Sequence, residues 1–156
     1  MTKRVILLQA LAATTKDLAR MLPRTDETFL HRRPTSDQWS IADVLNHLID
    51  VEVRYLRRLQ GVVQEDHPLL PAILPDETAH DVQARRDELL ARFSRARSET
   101  LAFLEGISLG DWQRSAVHET WGEIRFRFLV QHLVDHDTEH LNQIIEIQGQ
   151  LPVASR

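Results

Sequence analysis

Glycine occurs only five times in 156 residues, while leucine, alanine, glutamate, arginine and glutamine carry much of the chain. Those side chains lose little freedom in a helix, and turn-rich β architectures need more glycine than this, so an all-α fold is expected. Apolar residues recurring at intervals of three and four mark out four long helices. The first covers residues 2–22, with Val5, Leu8, Leu11, Ala12, Leu18 and Leu22 on its inner face and Pro23 as its stop. Ser40 reads as the N-cap of the second, with Asp43 three residues on and Trp39 placed to pack on Val44 as a hydrophobic staple. Its stripe is Ile41, Val44, Leu45, Leu48, Tyr55, Leu56 and Leu59, and it ends near Gly61 before a proline-bearing connection over residues 62–75. The third covers residues 76–106, with Val82, Leu89, Leu90, Phe93, Thr100, Phe103 and Leu104 inward and its many arginines read as a solvated face. An irregular stretch around residues 110–122 leads to the fourth, residues 124–148, which Gly149 and Pro152 stop. No repeat or low-complexity tract divides the chain, so residues 1–156 read as one domain.

An apolar fraction of 42% is ample for one core. The formal charge is −4 and the arginines are interleaved with acids, which leaves no basic face for a phosphate backbone and excludes nucleic acid as the expected partner. Cysteine is absent, so disulfides, thiolate ligands and a protein thiol nucleophile are excluded. The basic start turns amphipathic within the first helix and no apolar run reaches bilayer length, which points to a cytoplasmic protein with no membrane partner.

Three histidines in the last helix, His132, His136 and His140, fall four residues apart, and His47 sits at the edge of the second helix's apolar stripe. Neighbours at i and i+4 point the same way, so two imidazoles can grip one cation while a third arrives from another helix. Winding the last helix at about 100° per residue puts His136 and His140 inside the arc of Phe126, Leu129, Leu133, Ile144 and Ile147, with His132 at its margin. Residues eight apart are separated by about 12 Å along the axis, so His132 and His140 cannot both bind one ion. One of the three is therefore a spectator, and inward direction favours His136 and His140 as the pair. Glu52 projects from the middle of the second helix's stripe, where a carboxylate needs a partner. It could orient a ligand imidazole or bind a buried arginine.

Other motifs fit less well. The run from His136 to His140 matches the H-x-x-E-H pattern of inverted zinc proteases, but too little chain follows it to supply their distant acidic ligand. An H-E-x-x-H protease needs glutamate where Asp137 stands, and a di-iron bundle needs glutamate three residues before each ligand histidine. No strand pattern is evident to carry a phosphate loop or a nucleophile elbow.

Trp39-Ser40 leading into Asn46-His47-Leu48, then Glu52, and later His118, Gly122 and the run His136-Asp137-Thr138-Glu139-His140-Leu141-Asn142-Gln143-Ile144 resemble the DinB/YfiT-like metalloproteins. The resemblance covers nearly the whole chain in order and spacing. It implies a four-helix bundle with up-down-down-up connection, often dimeric, holding a divalent cation on three imidazoles, which map here to His47, His136 and His140. It also implies transfers or isomerisations assisted by a low-molecular-weight thiol.

Three neutral imidazoles leave a divalent cation its full charge and at least one open position, the arrangement of catalytic sites. Zinc or nickel is the foremost expectation, with iron, cobalt or manganese compatible. Such a centre could turn a small thiol into a nucleophile for transfer to an electrophile, the favoured expectation, or activate water for hydrolysis. A non-catalytic, stress-related dimeric metal-binding module is the remaining alternative. His118, Arg125, Arg127 and Asp50 are candidates to touch substrate or support the ligands, but roles as loop and surface residues explain them more simply.

Overall fold

The computed structural model describes residues 1–22, 26–73 and 81–152. Helix α1 spans Lys3–Met21, a short α2 Glu27–His31, α3 Ile41–Gln64, α4 Arg86–Gly106 and α5 Phe126–Gln150. Three short strands, β1 Leu69–Leu70, β2 Ser115–His118 and β3 Gly122–Arg125, form one sheet in that order. β1 lies parallel to β2, and β2 and β3 are an antiparallel hairpin with His118 opposite Gly122. Gly122 has a φ of 69°, the left-handed region a glycine enters without Cβ strain, which closes the hairpin at this point. No helix among the described residues is long and apolar enough to cross a membrane.

The four long helices make a bundle in which α1 and α3 each pack on both α4 and α5. Cross-helix hydrogen bonds fix their directions. Arg4 reaches the carbonyl of Leu104 while Arg86 reaches those of Leu22 and Ala19, so α1 and α4 are antiparallel. Thr14 meets Asp137 and the Met21 carbonyl meets Gln148, so α1 and α5 run together. Pairing of His47 with His136 and of Tyr55 with His132 sets α3 against α5. It follows that α3 and α4 point the same way, and the connection between them must travel the length of the bundle. β1 lies in that crossover.

Helix α3 begins where the sequence places it. The Ser40 hydroxyl accepts from the Asp43 N–H at 3.1 Å and the Asp43 carboxylate accepts from the Ser40 N–H at 2.9 Å, a reciprocal capping box. It runs one turn past Gly61, carrying Val62 into the core, because a glycine inside a packed helix is tolerated when its neighbours are buried. The inner face of α1 is Leu7, Leu11, Thr14 and Leu18, whereas Val5 and Ala12 are exposed. The expected start of the third helix moves to Arg86, and Val82 is 72% exposed in the turn before it. The expected stop Pro23, the last residues of the expected connection, 74–75, and the third helix's expected first residues 76–80 lie outside the described residues. The stretch expected to be irregular instead holds a single 3-10 turn at Asp111–Gln113 and the hairpin, so Ile124 belongs to β3 and α5 starts two residues later. Four-residue strands are too short for an alternating pattern to stand out from loop sequence.

Candidate metal centre

α3 and α5 place His47, His136 and His140 face to face in the bundle interior. Their Nε2 atoms converge, with His136 Nε2 3.1 Å from Nε2 of His47 and 3.1 Å from Nε2 of His140. One donor atom from each ring lies within 4.8 Å of the others. Donors about 2.0–2.1 Å from a tetrahedral zinc stand about 3.3 Å apart, so the spacing suits a shared cation. The two contacts at His136 Nε2 cannot both be linear hydrogen bonds, because a neutral ring nitrogen either donates one proton or accepts at one lone pair. A cation between the three satisfies all of them. His136 is held well below the ordinary histidine range, at about 3, first by burial and then by its neighbours His140, His47 and His132 and by Arg97. It is therefore neutral, the form that coordinates metal.

Surrounding residues fix the rings. His140 Nδ1–H donates to Gln143 Oε1 at 2.7 Å, which sets the tautomer that leaves the Nε2 lone pair facing the cluster. Trp39, one residue before the Ser40 cap, sets its ring 5.0 Å from that of His47 and stacks at 6.3 Å on His140. Its position thus bears on the site as well as on the helix start.

His132 lies outside the cluster, and its Nδ1 is 2.7 Å from the Tyr55 hydroxyl. Glu52 takes the second of its two expected roles: its carboxylate accepts from Arg97 Nε at 2.9 Å and Nη2 at 2.7 Å. Arg97 also donates to Asp137 at 2.7 and 3.0 Å and to the Leu11 carbonyl at 2.8 Å, and Thr14 donates to Asp137 at 2.7 Å. Arg97 is 1% exposed, so the expectation that the α4 arginines form a solvated face fails at this residue. One inward arginine among many outward ones has no periodicity of its own. The unpartnered Glu52 in an apolar stripe was the signal that such a cation existed.

The imidazole cluster opens on a cavity of about 380 Å³ between α3, α5 and the hairpin. His118, at the end of β2, and Trp121, in the hairpin turn, both line it. Of the other candidate contacts, Asp50 pairs with Arg54 at 2.9 Å, while Arg125 and Arg127 are exposed and do not line this cavity. Arg58, Trp121 and Gln143 are given no role at the site by the sequence, and Tyr55 only a place in the apolar stripe of α3. Gln143 alone carried a usable signal, three residues beyond a ligand candidate on the same helix.

A family model of the DinB superfamily matches residues 10–144. The protein YuaE of Bacillus subtilis, itself uncharacterized, is 24% identical over 140 residues, spanning 78% of this chain and 85% of its own length. Among solved structures, YfiT from Bacillus subtilis, described as a probable metal-dependent hydrolase with an unusual four-helix bundle topology, superimposes with a TM-score of 0.80 at 20% identity, covering 96% of this chain and 89% of that one. The DinB-like YjoA of Bacillus subtilis gives 0.62 at 14% identity, covering 97% and 96%. At such identities these structures speak for the fold, and the family model matches most of the sequence. The chain belongs to the DinB superfamily.

Proposed function

We propose that the protein is a metal-dependent hydrolase, with His47, His136 and His140 as ligands of one divalent cation. The convergence of three Nε2 atoms on the floor of a cavity is the observation that carries this reading. The description of YfiT as a probable metal-dependent hydrolase supports the reaction class. When bound, a divalent cation on three neutral imidazoles supplies Lewis acidity that makes water or a small thiol a nucleophile near neutral pH. The protein's own part is to keep His136 neutral and to orient His140 through Gln143. In the net reaction, water adds to an acyl carbon, the bond to the leaving atom breaks, and the proton that water loses ends on that atom.

Thiol transfer uses the same centre. The absence of cysteine favours it to this extent, that an added thiol meets no competing protein thiol. Zinc and nickel suit the donor set best, with iron, cobalt and manganese next.

The test combines elemental analysis of protein purified without added metal with turnover of 4-nitrophenyl acetate by the loaded protein, with and without 2-mercaptoethanol. Thiol-independent turnover lost on chelation supports hydrolysis, and turnover that needs the thiol supports transfer. Stoichiometric metal with no turnover in either case leaves a binding module. A chain that takes up no divalent ion overturns the proposal.

A further inference from the structure

The cavity has a second layer, one helical turn from the imidazole cluster, that the metal reading leaves unused. His132 precedes His136 by one turn of α5 and Tyr55 follows His47 by two turns of α3, and both line the cavity. The Tyr55 hydroxyl lies 2.7 Å from His132 Nδ1, and the Arg58 guanidinium carbon stands 5.4 Å from the centre of the Tyr55 ring. Burial pushes Tyr55 up to about 12, so its hydroxyl keeps its proton and donates, and burial lowers His132, which stays neutral. A neutral histidine that accepts at Nδ1 carries its proton on Nε2. Among the described residues that Nε2 has no hydrogen-bond partner, and it is not among the sealed polar atoms. The Trp121 ring lies 4.6 Å from that of His132 and is backed at 4.0 Å by a stacked His118, whose Nδ1 accepts from the Thr120 N–H at 3.1 Å. Trp121 is 42% exposed, so part of its ring is available for contact.

These observations describe a fixed N–H donor beside a flat aromatic wall. His132 and His136 are separated by about 6 Å along the helix axis. A nucleophile at the cluster and an acyl carbon about 3 Å from it use most of that span, which brings the acyl oxygen or the leaving atom to His132.

We propose that Tyr55, His132 and Trp121 form the substrate subsite of the cavity and that it takes a flat carboxylic ester or amide, whose oxygen accepts from His132 Nε2–H while its plane packs on Trp121. The subsite deepens the hydrolase reading and rests on it for its catalytic meaning. In this arrangement Tyr55 is a positioning residue: it fixes the tautomer and direction of His132 and does not touch the substrate.

The experiment is a calorimetric titration of the metal-free full-length chain with acetanilide, a flat amide that does not depend on turnover. Wild type is expected to saturate at millimolar concentration or below. His132→Ala should weaken binding about five- to tenfold, the worth of one neutral hydrogen bond. Trp121→Ala should weaken it about fivefold through lost stacking. Tyr55→Phe should weaken it about two- to threefold, because the donor remains but its tautomer is no longer fixed. Lys16→Ala, exposed on α1, should change nothing. If His132→Ala does not fold, His132→Phe is read in its place, with the same weakening expected because the ring's bulk remains and its N–H is gone. Equal binding by wild type and the His132 variant, or no binding by wild type, overturns the subsite. Metal uptake is measured on the same preparation. Acetanilide bound through His132 by a chain that takes up no divalent ion overturns the metal-dependent reading and leaves the subsite standing. Metal uptake with binding indifferent to His132 does the reverse.

Discussion

Two clusters of polar side chains are buried side by side in this bundle, and they differ in whether their hydrogen-bonding capacity is used up. Around Arg97, all five guanidinium N–H groups find acceptors in Glu52, Asp137 and the Leu11 carbonyl. The acceptors come from α1, α3 and α5 and the donor from α4, so one side chain ties the four long helices together. Burial works against the Arg97 charge, yet its hydrogen bonds with Asp137 and the charges of Glu52 and Asp137 outweigh it and hold the guanidinium above its ordinary value. Around His136 the position is the opposite. Two Nε2 contacts compete for one nitrogen, its Nδ1 is sealed with no partner among the described residues, and the cluster opens on a cavity. A saturated cluster has nothing left to offer a ligand, whereas an unsaturated one next to a cavity does. Asp137 and His136 are neighbours in sequence, so the two lie one residue apart on α5.

The comparison breaks most violently at Arg97. Arg97→Ala leaves two buried carboxylates unpaired and should destabilise the protein by about 3–5 kcal/mol in urea unfolding. Replacing the whole cluster, as Arg97→Met with Glu52→Leu and Asp137→Leu, should recover most of that loss, since a well-packed apolar core can substitute for a buried ion cluster. If the single variant unfolds within about 1 kcal/mol of wild type, the cluster does not carry the load its saturation implies.

At the unsaturated cluster the large effect is on metal and not on folding. His136→Ala or His47→Ala should take bound metal from about one ion per chain to almost none by elemental analysis, while His132→Ala retains it. Equal loss in all three variants would show that His132 is a ligand and that the cluster is wrongly drawn. Gln143→Ala should have a milder effect of the same kind, about 10–100-fold in metal affinity by competition with a chelator, because it frees the His140 tautomer without removing a donor. Unchanged affinity would mean that the 2.7 Å hydrogen bond does not govern which nitrogen faces the cluster.

How legible each cluster was in the sequence follows from the same contrast. The histidines stood out because i, i+4 spacing on an apolar face is a one-dimensional pattern, and the mapping of His47 needed only a second helix crossing the first. The capping box at Ser40 and Asp43 was equally local. Arg97 was hidden because its partners lie 40 and 45 residues away, and a helix bearing many arginines gives no local sign of the one that turns inward. Only the misplaced Glu52 betrayed it. The hairpin escaped for a related reason: strand pairing is a relation between segments, and Ser115–His118 alone is too short to announce it. With it went Trp121, although His118, which also lines the cavity, stood among the candidate contacts.

The smallest expected effect separates the clusters by pH in the metal-free protein. His136 is depressed to about 3 by burial and by its histidine neighbours, whereas in the unfolded chain it titrates near the ordinary value of 6.5. As pH falls below that value the unfolded state takes up a proton that the folded state refuses, so stability is full above it and is lost progressively toward the folded value. For one such group the loss is at most about 1 kcal/mol over the first pH unit below 6.5, and smaller once discounted for the partial exposure of His136, read as a falling urea midpoint. In His136→Ala that slope should flatten by about one proton. The Arg97 guanidinium stays charged throughout this window, since it is held above its ordinary value. A wild-type slope that survives the substitution unchanged would place the acid sensitivity elsewhere and remove the electrostatic half of the contrast. The converging Nε2 atoms would then stand on geometry alone.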